Sequence, residues 1–243
     1  MLVSLLDAHP EIHCFGELMR RTPGWMLRDG YSGALRSLER VDPKYRDDAV
    51  RFEIPRAFVD EVMAKLATEP IVGFKLLLAQ HPDFMDELIA DPGYTKILLY
   101  RANALASFSS GRIAKATGQG SAHKNTEIKR AKVTFKEYDF RRYLKRRERH
   151  YEGVRQRLAA SGQAYLEIEY LDLVAGSAVP QAVAFLGADP AVALQPRTIK
   201  RNPSNLLERF NNPDTVQTVL TAMGAEHWAV ERPQSTTPTS VSR

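Results

Sequence analysis

Residues 96–117 read KILLYRANALASFSSGRIAKAT, and the class of fold follows from how this stretch is parsed. Lys96-Ile97-Leu98-Leu99-Tyr100 is a short, nearly continuous apolar run, the pattern of a strand buried on both faces. Arg101 closes it. The alanine-rich segment from Ala102 to Thr117 then reads as a helix with Leu105, Phe108 and Ile113 turned inward. A strand passing directly into a helix is the building unit of an α/β domain.

The flanking sequence repeats the alternation. Upstream, Ile71-Val72-Gly73-Phe74-Lys75-Leu76-Leu77-Leu78 is a second apolar run, expected to be a fully buried strand. Before it, Pro55 suits the first position of a helix carrying Phe58, Val62 and Leu66 at four-residue spacing. At the start, Leu2, Leu5 and Leu6 share one face of a short helix that ends before Pro10, and Ile12 to Phe15 is extended and stopped by Gly16. Downstream, Phe140, Tyr143, Leu144, Tyr151, Val154 and Leu158 mark one face of a long helix over roughly residues 136 to 161. A third strand over Ala164 to Ile168 and helices around Val179–Leu186 and Thr215–Met223 complete the set. The expected architecture is a three-layer α/β domain over residues 1–231, its parallel sheet flanked by helices, with a disordered tail from Arg232 through PQSTTPTSVSR.

Composition narrows the class. The 243 residues are 44% hydrophobic and 26% charged, which excludes a wholly disordered chain. No run approaches the roughly 18 apolar residues of a membrane-spanning helix, and the N-terminus has no basic region of a secretion signal. The single cysteine, Cys14, excludes an internal disulfide and suits a reducing, cytoplasmic setting. Charge is uneven: Arg112 to Arg157 holds 15 Lys/Arg against 5 Asp/Glu. Such asymmetry points to an anionic ligand near one face, a phosphate-rich small molecule or a nucleic acid, or else to the solvated side of a helix. Nucleic-acid binders interleave aromatics with their basic residues for stacking, whereas Phe140, Tyr143 and Tyr151 fall on the apolar face, so nucleic acid ranks last as a partner.

The turn at Arg101 is the place for a ligand, because open α/β sheets bind beyond the carboxyl ends of their strands. An arginine there grips phosphate bidentately, and Ser109, eight residues on and about two helical turns along, offers a hydroxyl. The competing reading is an arginine paired with a nearby carboxylate and a serine that merely fits. Strand, arginine and a serine on the following helix resemble the 3′-phosphate-binding motif of sulfotransferases that use 3′-phosphoadenosine-5′-phosphosulfate (PAPS). Ser4 to Ile12 followed by Cys14-Phe15-Gly16-Glu17 is similar to the start of bacterial carbohydrate-type (trehalose-type) members. Gly73-Phe74-Lys75-Leu76, Ser107 to Gly118, Glu169 to Leu173, Phe185-Leu186-Gly187 and Lys200-Arg201-Asn202-Pro203 resemble later family stretches in the same order. The likeness runs from Met1 to about Trp228.

The resemblance implies a P-loop-like domain moving a sulfuryl group from PAPS to a hydroxyl of a carbohydrate or glycolipid, without a metal. It implies Glu17 as the base for the acceptor hydroxyl, Lys75 as a cation near the sulfate or acceptor, and Arg101, Ser109, Lys200 and Arg201 around the nucleotide. Each residue has a plainer alternative: Glu17 facing Arg20 or Arg21, Lys75 snorkelling to solvent, Lys200 and Arg201 as a surface pair. His13 and His81 are acid/base candidates, but no His/Asp/Glu spacing suggests a metal site. The resemblance further implies a strand and a Gly/Ser/Thr-rich loop ahead of the first helix, holding the 5′-phosphosulfate on backbone N–H groups. The sequence opens inside or just after that point, so the expectation is a start assigned too late in a longer protein, or else an inactive remnant.

Overall fold

The computed structural model of the chain describes residues 1–19, 42–65, 70–77, 80–120, 127–195, 202–231 and 241–242. It is mixed α/β and falls into two compact units, one of Met1–Lys96 with Val179–Pro196, the other of Ile97–Ala178 with Arg197–Arg243. Among the described residues no helix is long and apolar enough to cross a membrane.

In the first unit, α1 (Leu2–Leu6) leads into β1 (Ile12–Glu17), followed by α2 (Asp48–Glu53), α3 (Pro55–Ala64), β2 (Ile71–Lys75) and α4 (Pro82–Ala90). Strands β1 and β2 pair in parallel, with Ile12 opposite Ile71, His13 opposite Val72 and Cys14 opposite Gly73. Register then slips by one, and Glu17 rather than Gly16 faces Lys75. This is a bulge: β1 carries one more residue than its partner over the same span. Gly16 therefore does not stop the strand as expected. It lies within β1, where the extra residue is absorbed.

Two apolar clusters hold this unit. Phe15, Leu18, Met19, Tyr45, Phe58, Val59, Val62, Phe84 and Leu88 form the larger. Leu6, Ile12, Cys14, Val183 and Ala188 form the other, bringing in α8 (Val179–Phe185) from late in the sequence. His9 fixes that return, with Nε2 3.0 Å from the Asp189 carbonyl oxygen and Nδ1 accepting the Glu11 N–H at 3.1 Å. His81 plays a matching local part: Nδ1 accepts the Phe84 N–H at the start of α4, and Nε2 sits 2.9 Å from the Phe52 carbonyl. It caps the start of α4.

The second unit holds β3 (Lys96–Tyr100, beginning at the boundary), α5 (Ala104–Thr117), α6 (Glu137–Ala160), β4 (Tyr165–Glu169), α7 (Tyr170–Ala175) and α9 (Pro213–Ala222). Its three-stranded sheet is ordered β3-β4-β5, where β5 is Val241–Ser242, antiparallel to β4. Asn103 caps α5 by accepting the Ala106 N–H at 2.9 Å, and Gly118 ends it in the left-handed conformation at φ 66. The core is aromatic: Phe108, Phe135, Phe140 and Phe210 stack edge-on or tilted at centroid distances between 5.1 and 6.1 Å.

Both apolar runs were expected to be buried throughout, and the structure corrects this. All five residues of β2 are half-buried, and in β3 only Leu98 is buried. Sheets of two and three short strands cover each strand over only part of its length. The strand over 71–78 also shortens to Ile71–Lys75, while Leu66 and Leu78 lie outside the described residues.

Cys14 gives a direct check on the first unit. Burial, with the Asp7 carboxylate adding, pushes its thiol up to about 12 from an ordinary 9.0. Between those values the unfolded chain loses the thiol proton while the folded chain keeps it. Stability should therefore fall as pH rises above 9, by at most about 1.4 kcal/mol per pH unit from this group. Denaturant titrations from pH 8 to 11 should show a shallower loss in Cys14→Ala than in the wild type, and equal slopes would contradict the burial.

Candidate functional site

At the exit of β3, two side chains clamp the backbone of the second unit. The Arg101 carbonyl accepts a hydrogen bond from the Arg147 guanidinium on α6. The next amide, Ala102 N–H, donates to Glu169 Oε1 at 2.9 Å, and the other oxygen of Glu169 accepts the Leu171 N–H. Glu169 ends β4, so one carboxylate ties the turn after β3 to the turn after β4.

The Arg101 side chain points into a buried polar cluster. Its Nε and Nη2 donate to the two oxygens of Glu231 at 2.6 and 2.7 Å, a bidentate pair, and its guanidinium lies 4.5 Å from the centre of the Tyr170 ring. Its Nη1 reaches Ser110 Oγ at 3.4 Å. Arg209, fully buried, approaches from the other side: Nη2 lies 3.5 Å from Glu231 Oε2, and Nη1 donates to Ser109 Oγ at 3.0 Å and to Ser110 Oγ at 3.4 Å. Pro203 completes its coordination, its carbonyl accepting from Arg209 Nε at 2.9 Å. Asn202 Nδ2 donates to Ser110 Oγ at 3.3 Å.

Burial lowers Arg209 to about 10 from 12.5, opposed by the Glu231 carboxylate and reinforced by the Arg101 charge. It remains a cation at neutral pH. Two guanidiniums thus share one carboxylate in a space largely closed to solvent.

The two hydroxyls differ in what they have left to offer. Ser109 is fully buried, donates to the Ala106 carbonyl at 3.1 Å and accepts from Arg209, so both capacities are engaged. Ser110 accepts from Arg101, Arg209 and Asn202. The hydroxyl that meets Arg101 is therefore Ser110, while Ser109 reaches it through Arg209. Lys200 and Arg201 lie outside the described residues.

In the first unit the bulge in β1 places Glu17 beside Lys75. Lys75 Nζ is 2.7 Å from Glu17 Oε1, and Gln80 Nε2 donates to Glu17 Oε2 at 2.9 Å. Lys75 is 42% exposed and Glu17 21%, so the pair is partly open to solvent. The lysine that interrupts an apolar strand is thus matched to a carboxylate on the neighbouring strand. Arg20 and Arg21, the other partners considered for Glu17, lie outside the described residues. Among the described residues no group of three or more His, Cys, Asp or Glu is placed to hold a metal ion.

Four members of the buried cluster escape a reading of the sequence. Arg209, within Leu206-Leu207-Glu208-Arg209-Phe210, has no local sign distinguishing it from a surface arginine. Glu231 sits at the edge of the expected tail. Ser110 is hidden by its neighbour Ser109, and Asn202 appears only as part of the Lys200–Pro203 segment. The likeness to PAPS-dependent sulfotransferases rests on residue order alone. Searches of protein-family models, curated proteins and solved structures find no match to this chain.

Removing the Arg209 guanidinium takes a donor from the buried Ser109 hydroxyl, the Pro203 carbonyl and Glu231, at about 1–3 kcal/mol per group and roughly 3–5 kcal/mol in sum. Arg209→Met should lose that much in urea unfolding, against less than about 0.5 kcal/mol for Arg146→Ala on the exposed face of α6. A small effect at Arg209 would mean that the cluster does not hold the unit together.

Proposed function

We propose that this chain moves a sulfuryl group from PAPS to a hydroxyl on a carbohydrate or glycolipid acceptor, on a P-loop-like three-layer α/β scaffold. What supports the reading is the convergence of Arg101, at the end of a strand, with Arg209 and the hydroxyls of Ser109 and Ser110, one to two turns along the next helix. Paired guanidiniums and hydroxyl groups are the donors that a phosphate monoester needs. The donor supplies a charged group that passes in line between two oxygens, so the protein mainly positions and neutralises.

In this reading Arg101 anchors the nucleotide's 3′-phosphate, with Ser109 holding Arg209 in place and Lys200 and Arg201 closing over the phosphates. Glu17 takes the proton of the acceptor hydroxyl, a step of general-base type worth 10²–10⁴-fold. Lys75 holds the carboxylate in position and offers its cation to the oxygen that leaves. For that, Glu17 must exchange one of its contacts, with Lys75 or Gln80, for the acceptor hydroxyl.

A second reading is a folded chain without transfer activity. One observation favours it: Glu231 already takes both Arg101 donors that would face a phosphate. Calorimetric titration with adenosine 3′,5′-bisphosphate, the nucleotide product, separates the two. Binding by the wild type, weakened at least tenfold in Arg101→Ala and in Ser110→Ala, is the expected result. If all three bind alike, Arg101 is no anchor, and if the wild type does not bind, the second reading holds. With binding in hand, Glu17→Gln should abolish transfer of labelled sulfate to sugar acceptors while leaving nucleotide affinity unchanged.

A further inference from the structure

Glu231 has the position of a bound oxyanion. Its side chain is fully buried, both oxygens lie along the Nε–Nη2 edge of Arg101, and the second oxygen also faces Arg209. Tyr170 packs against the same guanidinium, and Ser110, joined to both arginines and to Asn202, stands beside the pair. A carboxylate presented in this way satisfies an arginine edge much as two oxygens of a phosphate do. Two cations facing one monoanion leave one positive charge over among these three groups, in surroundings where burial already disfavours the Arg209 cation.

The backbone beside the residue has anchors of its own, among them the Leu206 N–H donating to the Ala229 carbonyl at 2.8 Å. Val230 forms an isolated bridge with Asn205, and the Glu231 N–H donates to the Ser204 carbonyl at 2.8 Å. Exchanging the Glu231 carboxylate for another anion need not break these backbone contacts, and Arg209 keeps the Pro203 carbonyl and Ser109 while Arg101 keeps the Tyr170 ring.

We propose that Glu231 is an internal competitor for the anion site. It neutralises Arg101 and Arg209 when no ligand is bound, and a phosphate monoester binds by taking its place. The inference rests on reading Arg101 as a phosphate anchor. It adds that the C-terminal segment sets the affinity of that anchor and that the site selects dianions. A phosphate monoester near two negative charges matches both guanidiniums, which one carboxylate does not, while a monoanion gains nothing over Glu231.

The test uses the full chain and Glu231→Gln, which keeps the shape and removes the charge. Titrations with adenosine 3′,5′-bisphosphate and with inorganic phosphate at pH 8 and constant ionic strength should give a Kd at least tenfold lower in the variant. Methyl sulfate, a monoanion, should bind the wild type with no measurable affinity. Phosphate should raise the thermal midpoint of Glu231→Gln more than that of the wild type, and Arg101→Ala added to Glu231→Gln should remove the gain. If Glu231→Gln does not fold, Glu231→Asp, which withdraws the charge by one methylene, should also bind more tightly than wild type.

Unchanged affinity in the Glu231 variants, with Arg101→Ala still weakening the wild type, would overturn the competitor and leave the anchor standing. Tighter phosphate binding without tighter nucleotide binding would support the competitor and count against the PAPS reading. No binding of either probe to wild type or variant would overturn both.

Discussion

The need to neutralise two buried guanidiniums organises the second unit. Arg101 leaves β3, Arg209 ends the short turn over Leu207–Arg209, and burying two such cations without a carboxylate between them is costly. Glu231 meets that need from 130 residues away in sequence. The path of the chain after α9 is therefore bound to the exit of β3, and the hydroxyls of Ser109 and Ser110 are drawn into the same cluster. The electrostatic lock of the fold uses the same donors that the proposed phosphate site would need.

The strongly basic helix α6 is tied to the sheet by some of its own arginines. Arg155 forms an ion pair with Glu167 and lies over the rings of Tyr100 and Tyr151, while Arg147 lies over Tyr151 and caps the Arg101 carbonyl. These arginines fasten α6 to β3 and β4. Phe140 is fully buried, and the partly buried Tyr143 packs on the aromatic core. The outer residues Arg141 and Arg142 pair with Glu137 and Asp139 on the helix itself. Such exposed pairs add little to stability, and they keep the helix well solvated.

In the first unit a single inserted residue has chemical consequences. A regular parallel register from Cys14 onward would set Gly16 against Lys75 and leave an ammonium beside a residue without a side chain. The bulge advances β1 by one position and gives Lys75 a carboxylate partner. Gln80 then takes up the second oxygen of Glu17, so the carboxylate is oriented on both sides.

Sequence by itself determined the helices and strands with local reasons to form. The apolar spacing of Phe140, Val154 and Leu158 set the long helix, Pro55 opened α3, and the Lys96–Tyr100 run followed by alanines marked the turn where Arg101 sits. These are interactions between near neighbours, and their periods are written in the order of residues. Tertiary structure alone decided that β2 and most of β3 are half-buried, that Gly16 lies in a bulge, that Ser110 rather than Ser109 meets Arg101, and that Glu231 and Arg209 complete the cluster. The Arg209–Ser109 and Arg101–Glu231 contacts join residues 100 and 130 positions apart and the bulge turns on a one-residue slip in register, none of which is written in local spacing.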